Sequence, residues 1–239
     1  EFSGALETPM PAQSYPVMMF AAGFGTRMKE LTQNLPKPMI PVAGKPLIDH
    51  ALHIAKAAGS APIVANLHYK AAMLDAHLSP QGVQTILEAP DILETGGGLR
   101  NALPLLGYGP VITQNTDAIW AGPNPMDLLR SCWDPETMDA LLICVPTPLA
   151  IGHEGTGDFI LAETGRIERG PGNVYGGIQI MKTDLLHEIT AAKFSLNVVW
   201  NKMLENKRLF GLSYPGKWCD VGHPDGIDLA ENMLAEFNV

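Results

Sequence analysis

Val17-Met18-Met19-Phe20-Ala21-Ala22 runs directly into Gly23-Phe24-Gly25-Thr26-Arg27. Six apolar residues without a polar alternation read as a strand buried on both faces, the pattern of a parallel sheet. A glycine-rich turn at its end lets backbone N–H groups approach an anion with no Cβ in the way. Arg27 adds a planar, bidentate donor suited to phosphate. Ten residues further on, Lys37 lies between Pro36 and Pro38, where fixed backbone angles hold an ammonium in place. A plain strand–helix turn is the alternative reading of the glycines alone.

Working outward, the same strand–helix alternation continues. Pro46 opens a helix whose apolar face is Leu47, Ile48, Ala51, Leu52, Ile54, Ala55 and Ala58, and Gly59 is a natural stop. Strands are expected at 63–66, 83–87, 111–113 and 140–145. Helices are expected at 70–78, from Gly96-Gly97-Gly98 to about Leu103, and at 127–133. The expected class is α/β: a Rossmann-like mixed, mostly parallel sheet flanked by helices. Between 146 and 181 glycine, proline and short β-like runs replace the alternation, so an antiparallel insertion or sheet edge is expected there. A helix from 196 to 207, short strands at 209–214 and 217–221, and a last helix from 225 to 237 complete the chain.

Two other glycine motifs fail on their own chemistry. A dinucleotide fingerprint needs a third glycine where Met28 stands, and an acidic strand end about 20 residues on. Gly211 to Lys217 approaches a phosphate-loop pattern. It continues into Trp218 instead of Ser or Thr, and leads into a strand instead of a helix.

The 239 residues are 46% hydrophobic, which supports a packed core. The net charge of −9 argues against a nucleic-acid-coating protein, which needs clustered positive charge. Cys132, Cys144 and Cys219 have no metal-ligand spacing and read as buried or incidental thiols of a reducing cytoplasm. No apolar run reaches the roughly 18 residues of a membrane span. Residues 1–9 lack signal-peptide character and read as an expression remnant, with Met10 as a natural start. Residues 10–239 are taken as one domain, a nucleotide half over about 17–145 and an acceptor half over about 146–239.

With Lys37 included, Gly23-Phe-Gly-Thr-Arg-Met-Lys-Glu-Leu-Thr-Gln-Asn-Leu-Pro-Lys-Pro resembles the signature of the sugar-nucleotide pyrophosphorylases. Glu94-Thr-Gly-Gly-Gly98, Ala102 to Gly107, Gly157-Asp-Phe159 and Trp218-Cys-Asp-Val-Gly222 resemble the branch of N-acetylmuramate-1-phosphate uridylyltransferases and mannose-1-phosphate guanylyltransferase-like enzymes. The resemblance implies a Mg²⁺-dependent reaction of a nucleoside triphosphate with a sugar 1-phosphate, releasing pyrophosphate. UTP with N-acetylmuramate 1-phosphate, in cell-wall recycling, is the first expectation; GTP with mannose 1-phosphate is the alternative. A non-catalytic nucleotide-sensing module is the alternative class.

The resemblance also implies site residues. Ala22, Gly23, Gly25, Thr26 and Arg27 would hold the triphosphate, Arg27 and Lys37 would be catalytic, and Thr95 and Gly96 would line the nucleoside pocket. Asp117 and Asp220 would bind magnesium. Asp117 follows a predicted strand, where α/β sheets place ligands, and a carboxylate suits Mg²⁺. By residue type alone, Asp117 also fits a turn and Asp220 a strand–helix connection. The chain departs from the family at Thr116, where glycine is usual, and in lacking the lysine of a Pro-x-Glu-Lys stretch, for which it has Gly165-Arg-Ile-Glu-Arg169. Asn173 and Gly177 are the expected sugar-phosphate contacts, with a structural hairpin as the equal alternative.

Overall fold

The structure is a computed structural model that describes residues 13–237. The expression remnant expected at 1–9 and the start at Met10 lie outside the described residues. In chain order the elements are β1 (Val17–Phe20), β2 (Pro41–Val42), β3 (Lys45–Pro46), α1 (Leu47–Ala57), β4 (Ile63–Leu67), α2 (Ala71–Leu78), β5 (Gln84–Leu87) and α3 (Glu94–Leu106). Then follow β6 (Val111–Asn115), β7 (Ala118–Ala121), α4 (Pro125–Cys132), β8 (Ala140–Pro146), β9 (Ala150–Ile151), β10 (Phe159–Leu161), β11 (Ile167–Arg169) and β12 (Asn173–Met181). The last are α5 (Leu196–Glu205), β13 (Leu209–Ser213), β14 (Lys217–Asp220) and α6 (Asp225–Phe237).

The main sheet has nine strands. β5, β4, β1 and β6 are parallel neighbours, as their unbroken apolar runs require. Successive residues of β1 feed opposite faces. Val17 and Met19 join the core under α1 and α4, while Met18 joins the core under α3 and α5. This division makes three layers, helix on sheet on helix. Local signals end the helices where the residues indicate: Ala58 caps α1 and Gly59 leaves at φ 67, and Asn124 caps α4 by accepting from the Met126 N–H.

The antiparallel insertion centres on β12. It runs between β6 and β8, antiparallel to both, so it is an interior strand and not an edge. Its nine residues, nearly all buried, explain that position. A register shift between Tyr175 and Gln179 carries Gly176 and Gly177 through a bulge. β10 and β11 form the hairpin at the sheet's outer end.

A second sheet, β7-β14-β9, forms around the strand expected at 217–221, whereas no strand is expected at its partners β7 and β9. Ala118-Ile-Trp-Ala is too short to show a period. It pairs antiparallel with β14, placing Asp220 opposite Ala118. A third apolar cluster, including Met28, Ile119, Cys219 and Met233, packs α6 beneath this sheet.

Candidate active site

The chain crosses from one side of β1 (β4, β5) to the other (β6), so a crevice opens at the carboxyl ends of these strands. It holds a cleft of ≈ 310 Å³ lined by Ala22, Gly23, Gly25, Thr26, Arg27, Lys37, Thr95 and Asp117, among others.

The loop after β1 is braced from below. Gly25 lies at φ 65, and a Cβ there would meet Lys37 Cβ at 2.7 Å, so only glycine fits. Thr32 Oγ1 donates to the Gly25 carbonyl at 3.1 Å. Gly23 has nothing within 4 Å of a notional Cβ, and it lines the cleft. Arg27 lines the cleft without an ion pair among the described residues.

Lys37 is held in the Lys37–Met39 turn that the flanking prolines shape, and its Nζ donates to Asp117 Oδ2 at 2.8 Å. Thr116 explains its departure from glycine: its hydroxyl donates to the Phe20 carbonyl at 2.8 Å and pins the turn before Asp117 to β1. The Val221 N–H donates to the Asp117 carbonyl at 2.8 Å, locking the ends of β6 and β14 together. Burial first, and the Asp117 charge second, push the Asp220 carboxyl above its ordinary range; Lys37, Arg27 and His153 pull it back down. A Cβ on Gly222 would lie 2.9 Å from Asp220 Oδ2 and 3.2 Å from Arg27 Nη1, so Gly222 leaves room for both groups. Arg27, Lys37, Asp117 and Asp220 thus converge from four segments of the chain.

Asp117 and Asp220 have the chemistry of a cation site. They are hard oxygen donors whose like charges raise one of them, which is the situation a divalent cation relieves. Among the described residues no third His, Cys, Asp or Glu joins them. The remaining ligands would be phosphate oxygens and water, the usual environment of Mg²⁺. The residues fit such an ion.

The triple glycine serves packing. Thr95 lines the cleft, but its hydroxyl accepts from the Leu196 N–H at 2.9 Å and ties α3 to α5. Gly96 lies behind it, donates to the Phe194 carbonyl at 2.9 Å, and would drive a Cβ to 2.4 Å from the Phe194 ring. Asn173 turns its amide to the Phe159 carbonyl at 3.3 Å and is absent from the cleft walls. Gly177, at φ 99, backs Asn115, where a Cβ would meet the Asn115 Cβ at 3.1 Å.

Two residues whose role the sequence does not reveal support the loop. Asn66, at the end of β4, accepts from the Ala21 N–H at 2.8 Å and donates to Glu88 Oε1 at 2.8 Å. Glu88 is 1% exposed, and its other oxygen accepts from the Leu93 N–H at 2.7 Å, at the start of α3. A helix N-terminus suits a carboxylate with no cation partner. The only hint in the sequence is a polar residue at the end of each strand. Gly98 makes room for this network, since a Cβ there would lie 2.6 Å from Glu88 Oε1 and 2.9 Å from Asn66 Nδ2. Gly98→Ala is therefore expected to destabilise the protein by about 1–3 kcal/mol despite alanine's better helix propensity. That is a fall in Tm of roughly 2–4 °C per kcal/mol, read by thermal unfolding. A rise in Tm would show that propensity wins and that the network has slack.

A second pocket of ≈ 240 Å³ shares Phe20, Thr95 and Asn115 with the first. Its other walls include Asp158, Arg169, Tyr175 and Trp200, from β10, β11, β12, α5 and their connections. Asp158 Oδ2 accepts from the Tyr175 N–H at 2.8 Å. The cysteines are free, and burial pushes the Cys144 and Cys219 thiols up to about 12, so neither is poised as a nucleophile.

Residues 17–154 match the MobA-like NTP transferase domain. The chain is 38% identical over 234 residues to the N-acetylmuramate alpha-1-phosphate uridylyltransferase of Caulobacter vibrioides, covering 92% of this chain and 96% of that one. It is 25% identical to the mannose-1-phosphate guanyltransferase of Gibberella zeae over 87% of this chain and 60% of that longer protein. Among solved structures it shares the fold of a UDP-glucose pyrophosphorylase in complex with UDP-glucose. The TM-score is 0.76 at 17% identity, over 94% of this chain and 99% of that one.

Proposed function

The chain belongs to the MobA-like NTP transferase family and is a nucleotidyltransferase, and from that premise we propose that it joins UTP to N-acetylmuramate 1-phosphate, releasing pyrophosphate. The observation that carries the reading is the 38% identity to the Caulobacter enzyme along nearly the whole length of both chains. The cleft supplies matching chemistry: Arg27, without an ion pair among the described residues, Lys37 on a stiff turn, and Asp117, with Asp220 on the neighbouring strand end.

In this reading the first pocket takes the triphosphate and the second takes the sugar, so the two halves of one domain serve the two substrates. The acceptor's phosphate is already anionic, so its attack on the α-phosphorus needs no general base. Catalysis is positioning and charge neutralisation. Gly23 and Gly25 leave the loop's backbone open to phosphate, while Arg27 holds the leaving pyrophosphate. Lys37 moves from Asp117 toward the reacting phosphate as ligands arrive. Asp117 and Asp220 would hold Mg²⁺, which when bound supplies Lewis-acid polarisation of the α-phosphate. Thr95 backs the nucleoside through its wall position, with Gly96 supporting it from behind. Asn173 and Gly177 act on the sugar side through the backbone they shape. No described helix is long and apolar enough to cross a membrane, and a cytoplasmic setting fits a consumer of nucleoside triphosphates.

A second reading, GTP with mannose 1-phosphate, draws on the weaker likeness to the guanyltransferases. A matrix of four nucleoside triphosphates against N-acetylmuramate, N-acetylglucosamine, glucose and mannose 1-phosphates, read by pyrophosphate release, decides between them. UTP with N-acetylmuramate 1-phosphate is expected to give the highest kcat/KM. Preference for GTP with mannose 1-phosphate would replace the first reading with the second. No release from any pair would leave a nucleotide-sensing module.

A further inference from the structure

Glu88 does not line the first pocket, yet all four of its polar atoms are engaged behind it. Its N–H donates to the Leu67 carbonyl, and its carbonyl accepts from His68 Nδ1, both at 2.8 Å. Its Oε1 accepts from Asn66 Nδ2 and its Oε2 from the Leu93 N–H. Asn66, 3% exposed, continues the connection by accepting from the Ala21 N–H. His68 in turn meets Phe24 edge to face, with ring centroids 5.3 Å apart, and Phe24 stands between the loop glycines Gly23 and Gly25.

The two ends of this run of bonds are two walls of one cleft. Ala21 and Ala22 lead into the loop at Gly23, while Ile92, Glu94 and Thr95 flank Leu93 at the start of α3. A nucleotide in the cleft has to span both walls. The donor–acceptor order along the run is also restrictive. Each outer side-chain atom meets a backbone N–H and must accept; the inner contact needs one donor and one acceptor. An amide at 66 with a carboxylate at 88 satisfies all three bonds, and so does the reverse pair. Two amides leave one bond unmade whichever way they flip, and two carboxylates set like charges face to face.

We infer that Glu88 is a positioning residue for the nucleotide: through Asn66 and the Leu93 N–H it fixes the span between the triphosphate loop and the nucleoside wall. It touches neither substrate. This role rests on the reading of the first pocket as the nucleotide site. The two walls are then set as one unit by the polarity of a buried pair, and disturbing that pair acts on the nucleotide half of the reaction alone.

Nucleotide affinity is measured by titration calorimetry, and KM and kcat for each substrate by pyrophosphate release. Glu88→Gln is expected to lower affinity and kcat/KM for the nucleotide about 10–100-fold, the scale of a displaced positioning group, and to leave KM for the sugar 1-phosphate within about twofold. Asn66→Asp should lose at least as much. Combining Asn66→Asp with Glu88→Gln restores the donor–acceptor order and should regain at least about tenfold over Asn66→Asp alone. It stays short of wild type, because the carboxylate then stands at Asn66's place on the cleft wall. If Glu88→Gln does not fold, Gly98→Ala takes its place, since a Cβ there presses on Glu88 Oε1 and Asn66 Nδ2 together. Unchanged nucleotide affinity, equal losses for both substrates, or a double variant no better than Asn66→Asp would make Glu88 purely structural and overturn the inference. If the wild-type enzyme takes GTP instead of UTP, the substrate reading falls. A loss of GTP affinity in Glu88→Gln that the double variant reverses would still uphold the role of Glu88.

Discussion

Asp117→Asn is expected to lower turnover by at least about 10²–10³-fold, the scale of removing a preorganised electrostatic contact from a transferring phosphoryl group. The substitution keeps the side chain's size and one oxygen, so the turn pinned by Thr116 to Phe20 survives. What goes is the charge. Lys37, 12% exposed at its side chain, loses its counter-ion at 2.8 Å, and the divalent cation proposed for this site would lose one of two carboxylates. The same change relieves Asp220, whose carboxyl Asp117 helps to push up. The two stability effects oppose each other, so Tm should stay within a few degrees of wild type. The pair of measurements discriminates: lost activity with a preserved melting transition is a site effect, whereas lost activity with early unfolding is not. A variant that retains turnover at low magnesium would remove Asp117 from the metal site.

The strand–loop at the front of the chain was legible because two independent local signals agree there: an unbroken apolar run, then glycines at the turn. The α/β alternation to residue 145 and the last helix at 225–237 followed from similar local signals. Less local features were not legible. β7 is four residues long, and its partner β14 arrives about 100 residues later, so only the folded chain shows Asp220 beside Asp117. β12 carries no mark of being interior; its place between β6 and β8 depends on pairings from both sides. Gly96 and Gly98 open an expected helix, and the resemblance puts Gly96 at the nucleoside pocket, yet the nearest atoms to their notional Cβ positions are Phe194, Glu88 and Asn66. Composition does not distinguish a glycine that admits a phosphate from one that admits a neighbouring side chain. Asn173 illustrates the same limit on the acceptor side, where its amide is spent on the Phe159 carbonyl. The cation that lines the second pocket is Arg169.

Arg27→Ala is expected to lower kcat/KM by about 10²-fold or more. The two cations of the first pocket are not equivalent. Lys37 is committed to Asp117 in this structure, so its charge is partly answered before any nucleotide arrives. Arg27 has no ion pair among the described residues and faces Asp220 across Gly222. Its charge is therefore available to the anion that enters. The guanidinium fork also matches two phosphate oxygens at once, which an ammonium cannot do. Arg27→Lys should then recover only part of the loss, even though it restores the charge. Because pyrophosphate is the group Arg27 is assigned to hold, product inhibition by pyrophosphate should weaken together with the forward rate, while the KM for the sugar 1-phosphate changes little. The opposite split, with an altered acceptor KM and unchanged pyrophosphate inhibition, would move Arg27 to the sugar side and detach the loop at Gly23 to Arg27 from the triphosphate.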